Sequence, residues 1–145
     1  MGLPVEVRGS LFNCAAVISQ GEIVGVVPKQ NLPNRTSFSE GRWFVSGATA
    51  TFGTCTLCGR EVPMLNDLIF TAEKVRFGVE IGEDLWTVVP PSSRMAVRGA
   101  ELILNPAACP EEAEKYQYLR ALVAQQSARA MTAYVYASAG YGEST

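Results

Sequence analysis

The sequence predicts an α/β fold, and three stretches carry that prediction. Val75 to Trp86, V-R-F-G-V-E-I-G-E-D-L-W, is an apolar, β-branched run that halts at Gly82 before an acidic pair, the pattern of a buried strand ending in a tight turn. Pro90-Pro91-Ser92 then opens a short helix, with Ser92 or Ser93 as its cap and Arg94 to Gly99 as its body, and the apolar Ala100 to Asn105 follows as a strand. Two strands joined by a short helix form a crossover, so this pair is expected to be parallel. Glu111 to Met131 extends the alternation. It follows Pro110, carries acids in its first turn, and spaces Tyr116, Leu119, Leu122, Val123, Gln126 and Ala130 as a helix covering one face of a sheet, before Thr132 to Ala139 returns as a strand.

The first half reads differently. Leu11 to Ile18 and Glu22 to Val27 are β-rich runs separated by Ser19-Gln20-Gly21, which predicts an antiparallel hairpin. Pro28 to Arg35 holds two prolines that exclude regular structure and make a rigid loop, with Lys29 placed firmly at its head. Phe38 to Phe44 mixes charge with large aromatics and is expected to pack onto the body of the protein. Ser46 to Thr56 is small and polar, a surface excursion leading into Glu61-Val62-Pro63-Met64, and Leu68 to Thr71 and Lys74 to Ile81 are the next strands.

With 145 residues, 48% of them hydrophobic and 18% charged, the chain can fill one core, so residues 1–145 are expected to form a single domain. A net charge of −2 from 12 basic and 14 acidic residues, with no long run of either sign, argues against nucleic-acid and membrane partners. No apolar stretch is long enough to span a bilayer and the start lacks a leader pattern, so a cytoplasmic protein is expected. The four cysteines, Cys14, Cys55, Cys58 and Cys109, are scattered and fit reduced thiols. There is no histidine, which excludes serine–histidine, cysteine–histidine and histidine-ligated zinc chemistry within the chain. Cys55-x-x-Cys58-Gly59 has the look of half a zinc knuckle or a redox pair, but a tetrahedral site would need Cys14 and Cys109 to converge on it, so no metal is expected. Cys109, next to Pro110 with no base in view, reads as a small buried thiol rather than a nucleophile.

The turn at Gly82 is where the chemistry should be. A sharp strand exit lifts one side chain clear of a sheet and aims backbone N–H groups at the reacting atom, the usual seat of a nucleophile in α/β enzymes. Glycine offers none.

Several motifs agree in order and spacing: Pro28-Lys29 with Leu32-Pro33-Asn34, Phe38-x-Glu40-x-Arg42-Trp43-Phe44, Gly78 to Trp86 with Pro90-Pro91-Ser92, and Gly99 to Asn105. Together they resemble the nitrilase-like (carbon–nitrogen hydrolase) superfamily. Leu11-Phe12-Asn13-Cys14-Ala15, the Glu-Asp-Leu-Trp-x-x-x-Pro-Pro-Ser run, Gln126-Ser127-Ala128-Arg129 and Gly142-Glu143-Ser144-Thr145 look more closely like the glutaminase domain of glutamine-dependent NAD⁺ synthetases. The resemblance covers nearly the whole chain and implies strands that form part of a four-layer α-β-β-α sandwich.

In that family a glutamate acts as base, a lysine stabilises the oxyanion, and a cysteine attacks the side-chain amide of L-glutamine to give a thioester and ammonia. The ammonia passes to a synthetase domain that uses ATP and nicotinic acid adenine dinucleotide; the glutaminase domain itself needs no cofactor. By position, the resemblance assigns Lys29 to the lysine, Glu40 to an additional glutamate that helps hold the site, and Gly82 to the place of the cysteine. Glu83, Trp86 and Cys109 fall in the substrate-binding region. Arg35 stands where the synthetases carry a tyrosine, and the segment that would bring the base glutamate precedes Met1. The chain thus reads as an interior piece of a larger domain or a reduced relative, silent toward glutamine, with uncovered sheet edges that predict a homo-oligomer. The competing expectation is a non-catalytic interaction or scaffold module of the same descent. Another branch of the superfamily, such as an ω-amidase or carbamoylase, is opposed by the Glu-Asp-Leu-Trp and Gly-Glu-Ser-Thr runs.

Overall fold

The computed structural model describes residues 1–35, 38–108 and 115–139. Its backbone groups into two units, Met1–Leu68 and Ile69–Thr145, each with its own sheet and core.

In the first unit, β1 (Gly2–Val7), β2 (Ser10–Ser19) and β3 (Glu22–Pro28) form an antiparallel meander in the order β1-β2-β3. The expected hairpin is β2–β3, with Ser19 opposite Glu22. Its two turn residues, Gln20 and Gly21, both have positive φ (51° and 81°), the turn hand that matches strand twist. Strand β1 lies outside the sequence expectation because Pro4 interrupts its pattern. It is tolerated because β1 is an edge strand, where a missing N–H leaves no ladder bond unmade.

The short pairs β4 (Asn34–Arg35) and β5 (Phe38–Ser39) lead into a 3₁₀ turn over Glu40–Arg42. Here the packing expectation holds in part: Glu40 is ion-paired to the buried Lys29 and Phe44 is half-buried, but the second large aromatic is not packed. Trp43 is 74% exposed, and the turn is held by backbone bonds from Trp43 and Phe44 N–H to the Glu40 carbonyl (3.0 and 2.9 Å) rather than by a buried aromatic.

The supposed surface excursion also acquires structure. After a 3₁₀ turn at Gly47–Thr49, β6 (Thr54–Leu57) and β7 (Arg60–Pro63) form a hairpin about Cys58-Gly59, again with two positive φ values (50° and 74°). Its inner face, Cys55 and Val62, joins Val5, Phe12, Cys14, Ala16, Val26 and Met64 in one core, and Phe12 meets Phe52 edge to face with ring centroids 5.1 Å apart. The polarity of the Thr-rich run conceals this because only alternate residues turn inward.

The second unit carries the alternation. Strands β8 (Ile69–Ala72) and β9 (Val75–Val79) pair antiparallel, a 3₁₀ helix spans Gly82–Trp86, and α1 (Pro91–Val97), β10 (Leu102–Ala107), α2 (Lys115–Ala130) and β11 (Ala133–Ser138) follow. The sheet order among the described residues is β11-β10-β9-β8, with β9, β10 and β11 parallel, as the crossover argument requires. Strand β9 stops at Val79, two residues before the expected end.

Helix α1 begins earlier than expected. Pro90 is its N-cap and Pro91 its first residue, where a missing N–H is harmless, so neither Ser92 nor Ser93 caps it. Met95 of α1 is fully buried, and a Cβ at Gly78 would overlap its Sδ, so Gly78 lets helix and strand approach closely. Of the positions expected to turn α2 inward, Gln126 is buried and Leu119, Leu122, Val123 and Ala130 are half-buried, but Tyr116 is 73% exposed. The predicted helix start at Glu111 lies outside the described residues, as does Gly142-Glu143-Ser144-Thr145. No described helix is long and apolar enough to cross a membrane.

Candidate functional site

In the first unit, Lys29 is the residue that follows β3, and both of its backbone groups are committed. Its N–H donates to the Asn13 carbonyl and its carbonyl accepts from Gly47 N–H, each at 2.8 Å. A Cβ on Gly47 would lie 2.8 Å from that carbonyl and from Pro28 Cβ, so the approach requires glycine. The side chain runs inward: Lys29 is 4% exposed, and its Nζ donates to Glu40 Oε1 at 2.6 Å. Asn13 Nδ2 lies 3.4 Å from the other carboxylate oxygen, and Glu40 N–H is tied to the Pro33 carbonyl at 3.2 Å. Lys29 is fixed, as the sequence implied, but by backbone bonds to Asn13 and Gly47 rather than by a rigid irregular loop: Pro28 closes β3 and Asn34–Arg35 is β4. The pins themselves, Asn13 and Gly47, carry no such signal. A buried ammonium held at fixed geometry by one carboxylate is a preorganised positive charge, the kind of group that stabilises a developing oxyanion.

The pair predicts an asymmetry. Glu40→Ala leaves Lys29 charged and enclosed and should cost about 3 kcal/mol or more. Lys29→Met leaves a carboxylate whose side chain is 17% exposed and still near Asn13, and should cost markedly less. Urea unfolding of the two variants beside the parent checks the order.

In the second unit, Gly82 opens the 3₁₀ helix at φ +52°, a left-handed conformation, and is itself buried. The turn is tightened by Asp84, whose Oδ2 accepts from Ile81 N–H at 3.3 Å while its own N–H donates to the Ile81 carbonyl at 3.1 Å. Asp84 is therefore a buried brace of the turn, while Glu83 beside it is half-buried. Trp86, also half-buried, is held by α2: Lys115 Nζ sits 5.3 Å from its ring centroid and Tyr118 packs edge-on at 5.7 Å. Cys109 lies outside the described residues.

Behind the turn is a polar cluster that sequence reasoning missed. Gly82 N–H donates to Asn105 Oδ1 at 2.6 Å, and Asn105 Nδ2 donates to the Gly82 carbonyl at 3.1 Å and to the Tyr134 hydroxyl at 2.9 Å. Tyr134 O–H in turn donates to Glu80 Oε1, and Ser92 N–H donates to Glu80 Oε2 at 2.7 Å. Burial pushes the Glu80 carboxyl above its ordinary range, against the pull of the hydrogen bonds from Tyr134 and Ser92, and nearby Asp84 adds to the rise. Burial also raises the Tyr134 hydroxyl, and Glu80 adds to that.

Cys14 and Cys55 of the first unit are not poised for attack. Cys14 is pushed up to about 12 by burial, with neighbouring Cys55 adding, and burial raises Cys55 as well. Cys55 faces the core while Cys58 sits in an exposed turn, so the CxxC thiols lie in different surroundings.

No family model matches the chain. Over 148 aligned residues, which take in all of it, the chain is 38% identical to the glutamine-dependent NAD(+) synthetase of Mycobacterium tuberculosis. It is homologous to the glutamine-dependent NAD(+) synthetases. The chain spans 22% of the length of that relative. A synthetase of the same description from Xanthomonas campestris is 30% identical over 94% of the chain, which spans 22% of its length. Among solved structures, the glutamine-dependent NAD(+) synthetase of Cytophaga hutchinsonii matches 95% of the chain with a TM-score of 0.82 and 30% identity, the match taking in 22% of that protein. An amidase of the nitrilase superfamily from Nesterenkonia, only 16% identical, still matches 94% of the chain with a TM-score of 0.71, over 45% of its own length. This synthetase homologue therefore has the nitrilase-like α/β fold, as the motifs implied.

Proposed function

We propose that this chain is a segment of the glutaminase part of an NAD⁺ synthetase, the part that releases ammonia from L-glutamine, and that it does not hydrolyse glutamine as it stands. The observation that carries the reading is 38% identity to such a synthetase across the whole chain. On this reading residues 1–145 are one partial domain. Lys29, held by Glu40, is the oxyanion-stabilising cation; Gly82 occupies the nucleophile's place; Glu83, Trp86 and Cys109 contact substrate. L-glutamine is the small-molecule partner. The synthetase portion, with its ATP and nicotinic acid adenine dinucleotide, is the protein partner, and the setting is a cytoplasmic homo-oligomer.

Glutamine recognition is testable without turnover. A diazoketone analogue of glutamine, incubated with Gly82→Cys, should alkylate the introduced thiol, and excess L-glutamine should suppress the adduct seen by mass spectrometry. A variant that keeps the parent's thermal transition and gains no adduct overturns the reading.

One observation favours the interaction-module alternative. Val88, Val97 and Met131 are 93%, 89% and 90% exposed and line one shallow depression with Val89, an apolar surface of the kind that binds other proteins. Stable self-association without glutamine-protected labelling would select it.

A further inference from the structure

Strand β9 loses its backbone partner just before the turn. The last bond to β10 runs from Glu80 N–H to the Leu104 carbonyl at 3.1 Å, and the next residue on β10 is Asn105. From there the Asn105 side chain takes over, receiving Gly82 N–H on Oδ1 (2.6 Å) and reaching the Gly82 carbonyl with Nδ2 (3.1 Å). One amide thus satisfies both polar groups of a residue held at φ +52°.

The amide can face only one way. Reversed, it would set its NH₂ against Gly82 N–H and its oxygen against the Gly82 carbonyl. Its remaining hydrogen goes to the Tyr134 oxygen at 2.9 Å, which is free to accept because its own hydrogen is given to Glu80. Glu80 is fixed in turn by Ser92 N–H at 2.7 Å, and Ser92 Oγ accepts from Gln126 Nε2 at 2.9 Å. Asn105, Glu80, Ser92 and Gln126 are all at most 2% exposed and Tyr134 is half-buried, so solvent has little access to the Asn105–Gly82 bonds.

We propose that Asn105 is the positioning residue of the Gly82 turn: its amide sets the backbone of residue 82, and the Tyr134–Glu80 pair sets the amide. That this backbone carries the place of a nucleophile rests on the function proposed above; the clamp itself does not.

Amide-resolved hydrogen exchange on the full chain tests it, with global stability of each variant measured by urea unfolding. In Asn105→Ala the Gly82 amide should exchange about tenfold faster, or more, beyond the global change, while Leu104 N–H follows the global change alone. Tyr134→Phe keeps Asn105 and the core volume but releases the amide's orientation, and should accelerate Gly82 in the same direction by less. A merely structural role would move Gly82 and Leu104 together. Gly82 exchange that tracks only global stability overturns the proposal, and Tyr134→Phe decides it alone if Asn105→Ala does not fold. Failure of the glutamine analogue to label Gly82→Cys would remove the glutaminase reading and leave the exchange result standing, so the two failures are distinguishable.

Discussion

Glu80→Ala is expected to destabilise the protein strongly in acid and progressively less as the pH rises. In acid the carboxyl is neutral, and deleting it strands two buried donors, Tyr134 O–H and Ser92 N–H, at about 1–3 kcal/mol each. At higher pH the parent itself must carry a buried carboxylate with Asp84 nearby, and the deletion relieves that burden. The sign follows from linkage. Because the folded pKa is raised above the ordinary 4.5, the folded state holds this proton more tightly than the unfolded chain. The associated stability is fully present below 4.5 and is lost as pH rises through the raised value. Denaturant unfolding of parent and variant at a series of pH values from acid to mildly alkaline reads this as a narrowing gap. A gap that is constant with pH would show that Glu80 titrates alike in both states.

The parts of the fold that could be read from the residues are those where one local rule decides. A β-branched run ending in glycine announces the Gly82 turn, and proline-bounded helical spacing between apolar runs announces the parallel strands on either side of α1 and α2. Where two rules compete, the reading slips. Pro4 hid β1 because a proline argues against a strand unless that strand is an edge, and edge position is a tertiary fact. Ser92 looks like a cap by composition, yet Pro91 starts the helix and Ser92 is spent on Glu80 and Gln126. The charged and aromatic mix of Phe38 to Phe44 suggests packing of the whole segment, yet Trp43 is 74% exposed, because a short 3₁₀ turn closed by the Glu40 carbonyl needs no buried anchor there.

The site divides the same way. Lys29 and Glu40, 11 residues apart, stand out through their flanking prolines and aromatics, and they do form an ion pair. The Gly82 clamp draws on Asn105 and Tyr134, and the bonds that build it span 23, 29 and 54 residues of chain. Each of its members resembles an ordinary strand residue in sequence, and only the parallel register of β9, β10 and β11 brings them together.

The largest expected effect is on chemistry. On the function proposed above, Gly82 stands in the nucleophile's place, and a thioester route would need a thiol there. Removing the nucleophile from a catalytic unit typically lowers turnover about a million-fold. The thiols of Cys14 and Cys55 are buried with raised pKa values, so neither offers a thiolate in its place. Restoring a side chain has its own cost, since a non-glycine residue at φ +52° sacrifices about 1–2 kcal/mol of conformational energy. The Asn105 clamp is what would hold a cysteine there against that strain.

Ammonia release from L-glutamine, followed for the chain and its Gly82→Cys variant side by side, tests the central claim most directly. The account predicts the blank rate for the glycine form and release above it, even if slow, for the cysteine form. Ammonia from the glycine form clearly above the blank would contradict it.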